Sequence, residues 1–319
     1  MTPRLTGSRR HGLAVVTLIL CAFLWSTAGV TTRFLERADG FEQTFWRSLS
    51  CALFVSAWLL VTHRSRWLKV VTDSGSAGIV CGLMWAIMFT CFMVALTLTT
   101  VARTVAVLAV APLLTAVLAW LILKERIAVR TWLAVLAAGA GIVWMVMDEL
   151  RAGGGSGTPW GMLVAAGVPL ASAINLVNMK RRQATVDLLP ALLIGAILSC
   201  LAMLPLVLPA QASGHDILLL SMLGVFQLGL PCMLMIRAAS HLSPQETALL
   251  SLLEVVFGPL WAWLGAGERP AEATLYGGGL IVAALVANEL FTSGRARRTP
   301  EEDATAGAQA VRIAKSKPA

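Results

Sequence analysis

Charged residues are scarce in this chain, and their scarcity excludes an ordinary soluble domain. Of 319 residues only 13% are Asp, Glu, Lys or Arg, whereas soluble domains carry about 25%. Hydrophobic residues make up 57% of the chain. The formal net charge of +8 is compatible with nucleic-acid binding, but the basic residues stand in short clusters between apolar runs. That placement is typical of membrane topology signals, so we expect no nucleic-acid partner.

Residues that build cofactor or metal sites are also few. The six cysteines form no CxxC pair and all lie in apolar runs: Cys21, Cys51, Cys81, Cys91, Cys200 and Cys232. The four histidines lie in or beside loops, and no GxxxxGK[ST] phosphate-binding loop is present. We therefore expect no cofactor, no metal, no ATP-driven transport and no enzymatic activity. The alternatives are a membrane-embedded enzyme acting on lipid-like substrates, or a non-transporting membrane scaffold or sensor.

Long apolar runs are what the chain does contain. About 20 mostly apolar residues suffice for a helix that crosses a bilayer. Helices are expected because lipid cannot satisfy the open edge of a sheet. The sequence thus predicts an all-α integral membrane protein with ten transmembrane helices, the first of them uncleaved. Their approximate bounds are 12–32, 44–62, 77–98, 104–123, 131–147, 158–179, 188–209, 217–236, 247–266 and 274–293.

Lysine and arginine are distributed unevenly between the two sides that these spans define. With the N-terminus inside, 19 of the 25 basic residues fall in inner segments. Cytoplasmic loops carry such an excess, so both termini are predicted to be cytoplasmic. We expect a multi-pass protein of a bacterial inner, or plasma, membrane, with membrane lipids as its surroundings.

A short pattern occurs twice. Ala119-Trp120-Leu121 followed by Glu125-Arg126 recurs 143 residues later as Ala262-Trp263-Leu264 followed by Glu268-Arg269. Five spans per half is an odd number, so two copies must enter the membrane in opposite orientations. Inverted repeats are typical of secondary transporters. Because a transport site is needed only once, we assign the repeated Glu-Arg pairs to folding and topology.

The repeat also sets the predicted domain organisation. A glycine-rich loop at 153–157 separates the halves, and its composition predicts flexibility. The predicted units are residues 1–151 with helices 1 to 5, residues 152–293 with helices 6 to 10, and a disordered cytoplasmic tail at 294–319.

The repeated segments resemble the two EamA repeats of the drug/metabolite transporter superfamily. The resemblance rests on Ala111-Pro112-Leu113, on Leu253-Glu254-Val255 through Trp261, on Trp25-Ser26 and on Trp46-Arg47. It implies a secondary transporter that moves small organic metabolites, such as amino-acid-like compounds or drugs, by alternating access in the export direction. The chain departs from the family where the second repeat often has Glu-Pro but reads Glu254-Val255 here. Its partners would be a small-molecule substrate and, as a candidate coupling ion, the proton; the oligomeric state is left open.

Glu254 is the main candidate for the chemistry of transport. It lies near the middle of the predicted ninth span, where a carboxylate costs roughly 2.5–3.5 kcal/mol on insertion scales. Such a group contacts substrate or exchanges protons, or else it is a structural carboxyl bonded to a neighbouring helix. Ser251 shares its helical stripe.

Other polar and aromatic side chains complete the candidate site. Arg47 either reaches the headgroups or lines the outer mouth as a counter-charge to an acid or a substrate carboxylate. The deep amides are either interhelical links or substrate contacts: Asn175, Asn178 and Gln227. Trp25, Trp85 and Tyr276 are candidates to stack on an organic substrate.

Overall fold

The structure is a computed structural model. It describes residues 7–31, 34–98, 104, 107–108, 110–124, 127–151, 159–182, 186–266 and 272–296. Within these ranges the regular elements are all helical. The α-helices are α1 Gly7–Trp25, α2 Thr27–Thr31, α3 Gly40–His63, α4 Trp67–Asp73, α5 Gly75–Leu98, α6 Ala111–Leu118, α7 Val129–Arg151, α8 Pro159–Arg182, α9 Leu189–Val207, α10 Gly214–Met222, α11 Leu230–Ala238, α12 Pro244–Ser251, α13 Leu253–Ala266 and α14 Glu272–Ala296. Two π-helical segments (Ala119–Leu123, Leu223–Gly229) and two 3₁₀ turns (Arg64–Arg66, Ala239–His241) continue them.

Several of these helical segments are long and apolar enough to cross a membrane. In the described part of the chain there are six: Arg9–Thr31, Gly40–Asp73, Gly75–Ala95, Trp160–Arg182, Leu189–Val207 and Gly214–His241. Shorter apolar helices are Ala111–Leu123, Val129–Trp144 and Leu275–Ala287. This confirms an all-helical, multi-pass membrane protein. The count of ten spans, their inverted arrangement and the cytoplasmic termini stay predictions.

Some predicted features fall on residues that the structure does not describe. The glycine-rich loop at 153–157, Glu125-Arg126 and Glu268-Arg269 lie outside the described residues. So does the tail from residue 297 onward, while α14 continues to Ala296. The domain bounds therefore stay predictions.

Helix packing follows a pattern that is symmetric between the two halves. In the first half α5 packs against α8 and α9; in the second, α11 and the π-segment before it pack against α1 and α3. These contacts correspond when the halves are exchanged, because α8 is the counterpart of α1 and α9 is the counterpart of α3. α7 packs against α14, and α6 packs against α12. In each of these two pairs the helices are counterparts of each other in the two halves.

Glycines let helix backbones touch at two of these interfaces. A Cβ on Gly82 of α5 would lie 2.6 Å from Ile194 Cγ2 of α9, and one on Gly224 would lie 2.5 Å from the carbonyl oxygen of Arg47 in α3. Small residues permit such close approach. Gly82 and Gly224 are 142 residues apart, so the two halves use glycine at corresponding positions.

Candidate functional site

Two helices are interrupted at corresponding positions of the halves, and these breaks locate the candidate site. The predicted ninth span is not one continuous helix, because a turn at Leu252 separates α12 from α13. There the chain tightens, as Leu252 N–H donates to Leu249 O at 3.1 Å. The same pattern occurs 142 residues earlier, where Val110 N–H donates to Val107 O at 3.2 Å just before α6. Helices broken in both halves are the best structural pointer to a transporter's binding site.

Glu254 lies in the first turn of α13, directly after the break. Its side chain is half-buried. Among the described residues it makes no side-chain hydrogen bond and no ion pair, although its charge interacts with that of Arg47. The interpretation as a structural carboxyl bonded to a neighbouring helix therefore has no bond to support it in the described part of the chain.

Arg47 is buried in the second turn of α3, only 3% exposed, so its guanidinium does not reach the surface. Its Nε is buried and has no hydrogen-bond partner among the residues that the structure describes. Its electrostatic neighbours are Glu254 and the thiols of Cys51 and Cys232, and no ion pair forms with any described residue. A buried charge without a partner costs several kcal/mol. The arrangement therefore offers a cation that is ready to accept an anionic ligand.

Trp25 and Gln227 lie beside this charged pair. α1 ends at Trp25, and the carbonyl oxygen of Trp25 accepts a hydrogen bond from Gln227 Nε2 at 3.1 Å. Gln227 Oε1 is buried and accepts no hydrogen bond from any described residue. The side chain of Trp25 lies next to Cys232, which is itself a neighbour of Arg47. The structure thus brings together four of the predicted residues: Arg47, Glu254, Gln227 and Trp25.

An aromatic cluster lies beside Ser26 and one turn after Glu254, and sequence reasoning missed part of it. Phe23 packs against Trp261 with ring centroids 4.8 Å apart and against Phe257 at 5.6 Å. Trp261 Nε1 donates to Ser26 Oγ at 3.0 Å, at the turn between α1 and α2. Phe257 follows Glu254 by three residues and thus shares its face, which is the signal that could have found it.

The other predicted residues have different surroundings. Asn178 Nδ2 donates to Cys81 Sγ at 3.1 Å and thereby links α8 to α5. Ser251 Oγ donates to Thr247 O of its own helix at 2.8 Å. Tyr276 is 69% exposed on α14 and is not brought to the Arg47–Glu254 region.

Trp85 of the first half and Asn175 of the second are further buried polar groups. Asn175 is 1% exposed and Trp85 is 2% exposed. Within the described ranges, neither the amide nitrogen and oxygen of Asn175 nor the Nε1 of Trp85 has a hydrogen-bond partner. Trp85 follows Gly82 by three residues just as Gln227 follows Gly224, so each half places an unsatisfied polar side chain at the same position. The sequence predicted Trp85 as a stacking residue, but its relation to Gln227 emerges only when the repeats are aligned.

One cluster has the residue types of a metal site. Donor atoms of Glu36, His215 and Asp216 lie within 4.8 Å of one another. The carboxylate of Asp216, however, already accepts backbone N–H groups from Glu36, Arg37, Ala38 and Ser213. These bonds make the cluster a structural element rather than an open coordination site.

Comparisons with known proteins agree with this architecture. The model of the EamA-like transporter family matches the chain twice, over residues 12–147 and 159–288. No curated protein matches the sequence. A crystal structure of another protein superposes with a TM-score of 0.72 at 22% identity, covering 90% of this chain and 99% of that one; it shows the fold alone. The two family matches cover most of the chain, which therefore belongs to the EamA-like transporter family of the drug/metabolite transporter superfamily.

Proposed function

We propose that this membrane transporter exports small zwitterionic metabolites of the amino-acid type from the bacterial cytoplasm, as a secondary transporter working by alternating access. The observation that carries the proposal is the pair of opposite charges, Arg47 and Glu254, that lie near each other beside a helix break and form no ion pair in the described part of the chain. A substrate carrying both charges would satisfy both groups at once.

The chemistry of the pair defines how such a solute would bind. A guanidinium binds a carboxylate through two parallel hydrogen bonds, and Glu254 would accept those of the substrate's ammonium group. Phe23, Phe257 and Trp261 offer apolar surface for the remainder of the molecule. Trp25 and Gln227 would position it from the side of α1 and the Leu223–Gly229 segment.

Alternating access is supported by the broken helices. Tight turns at Val110 and Leu252 divide the helices that pack against each other across the two halves. Such turns allow each half-helix to move separately around a solute held between the halves.

Counterflow in proteoliposomes tests the substrate class. We expect the wild-type protein to exchange radiolabelled phenylalanine, and unlabelled phenylalanine to compete. Phenethylamine, which lacks the carboxylate, and 3-phenylpropionate, which lacks the amine, should compete poorly. Arg47→Gln should abolish exchange, whereas Arg181→Gln, which removes an exposed arginine, should not. If the wild type exchanged neither phenylalanine nor leucine, the proposal would be contradicted. If it bound a solute without exchanging it, the result would favour the scaffold alternative.

Proton coupling through Glu254 is a separate part of the proposal. In the same vesicles an imposed pH gradient should drive net movement of phenylalanine by the wild type. Glu254→Gln should retain exchange at equal pH but lose the response to the gradient, because the amide cannot exchange a proton. An unchanged response would remove Glu254 from the coupling mechanism.

A further inference from the structure

A short surface helix between α3 and α5 carries a charged groove that the transport site does not use. α3 ends at His63, and Arg64 takes a left-handed conformation (φ 48°) that turns the chain into the 3₁₀ turn and α4. Trp67 and Val71 of α4 pack against the hydrophobic core. The remaining face of α4 is therefore free of the core and faces outward.

The groove has a volume of about 440 Å³ and is lined by Arg66, Lys69, Val70 and Asp73. Their spacing of three, four and seven residues puts them on one helical face. Lys69 and Asp73 are four residues apart, a spacing at which an intrahelical ion pair commonly forms. In the described part of the chain they form none. Unpaired charges of both signs thus face the same groove.

The groove follows the exposed apolar end of a helical segment that is long enough to cross a membrane. Just before it, α3 exposes Leu60 and Val61, the latter 78% exposed. These side chains contact hydrocarbon in a membrane-spanning helix. Trp58, also near the end of α3, lies under the guanidinium of Arg237 from α11, which is 5.6 Å from the ring centroid. Tryptophan and arginine are typical of the membrane interface. The first residue of the groove, Arg66, follows Val61 by only five residues.

We propose that this groove binds the headgroup of phosphatidylethanolamine. Arg66 and Lys69 bind the phosphate, and Asp73 accepts hydrogen bonds from the primary ammonium group. Exposed Leu60 and Val61 lie where the acyl chains run. Phosphatidylglycerol offers the phosphate but no cation for Asp73. Phosphatidylcholine offers a cation that cannot donate a hydrogen bond. The site is independent of the transported solute.

Lipid titrations of the purified full chain, followed by native mass spectrometry, test this assignment with dioleoyl lipids of the three headgroups. We expect phosphatidylethanolamine to bind the wild type about fivefold more tightly than either other lipid, as one interfacial charge contact would produce. Lys69→Gln should weaken phosphatidylethanolamine binding about fivefold. Asp73→Asn should retain phosphate binding and remove the preference over phosphatidylglycerol.

Arg181→Gln provides the matched control, because it removes an exposed basic residue that does not line the groove. It should leave all three affinities unchanged. Equal binding of the three lipids by the wild type, or the same loss in Arg181→Gln as in Lys69→Gln, would overturn the proposal. Tighter binding of phosphatidylglycerol would also overturn it, since simple attraction of anions would then explain the result. Circular dichroism and size-exclusion profiles confirm that each variant folds.

Discussion

Glu42 and Asp216 each bind the loop that precedes the other's helix. Glu42, in the first turn of α3, accepts hydrogen bonds from the backbone N–H groups of Gln211 at 2.6 Å and Ala212 at 3.0 Å, just before α10. Asp216, in the first turn of α10, accepts hydrogen bonds from three consecutive N–H groups just before α3, at 2.8 to 3.0 Å. Both carboxylates are buried. The two halves of the chain are thus joined reciprocally by charge-assisted hydrogen bonds.

Asp216→Asn should destabilise the protein because an amide nitrogen would face backbone donors. We expect a loss of about 2–3 kcal/mol, in the range for breaking bonds to a charged, buried acceptor. Glu42→Gln should cost less, since Glu42 accepts two such bonds. Denaturant unfolding of the detergent-solubilised protein measures both. Glu36→Gln is the control, because it changes an exposed carboxyl group in the loop that Asp216 binds. Its stability should stay within about 0.5 kcal/mol of wild type.

Gly224→Ala should disrupt the contact that places Arg47. The added Cβ would lie 2.5 Å from the Arg47 carbonyl oxygen and 3.1 Å from the Cys51 nitrogen. Both are backbone atoms, so α3 itself must shift, and we expect a cost of about 1–3 kcal/mol. Gly139→Ala in α7 is the matched control, because no atom lies within 4 Å of its added Cβ; alanine should stabilise that helix by up to about 1 kcal/mol. Thermal unfolding measures the stability of both variants. If both lost the same stability, the result would argue against a specific contact at Gly224.

The sequence was sufficient for the helical class, the family and the candidacy of Arg47 and Glu254, because charges inside apolar runs are visible without a structure. It did not predict the break at Leu252, since neither Pro nor Gly stands there and only the backbone hydrogen bonds identify it. The role of Asp216 could not be predicted for another reason, because the N–H groups that it binds before α3 lie about 180 residues away in the sequence. Phe23 was missed because an apolar residue in a membrane helix looks the same whether it faces lipid or a neighbouring ring.

Two tryptophans provide a matched test of buried indole groups. Trp261→Phe removes the hydrogen bond from Nε1 to Ser26 Oγ and should cost about 1 kcal/mol, the typical net value of such a bond. Trp85→Phe removes an N–H group that has no partner among the described residues, so the same substitution should cost less or even stabilise. Unfolding free energies of the two variants, measured side by side, check the difference. A larger loss at Trp85 would mean that its N–H group does have a partner in the membrane.

Arg47 should be a residue whose removal stabilises the protein while it abolishes transport. Its charge is buried without an ion pair among the described residues. An uncompensated buried charge costs several kcal/mol, so an apolar side chain of similar length in its place should stabilise the fold. We therefore expect Arg47→Met to raise the unfolding temperature and to eliminate phenylalanine counterflow. Arg47→Lys keeps the charge but loses the planar fork that binds a carboxylate, so it should weaken binding without the gain in stability. If Arg47→Met lowered the unfolding temperature, the guanidinium would be holding the helices together, and its assignment to the substrate would be wrong.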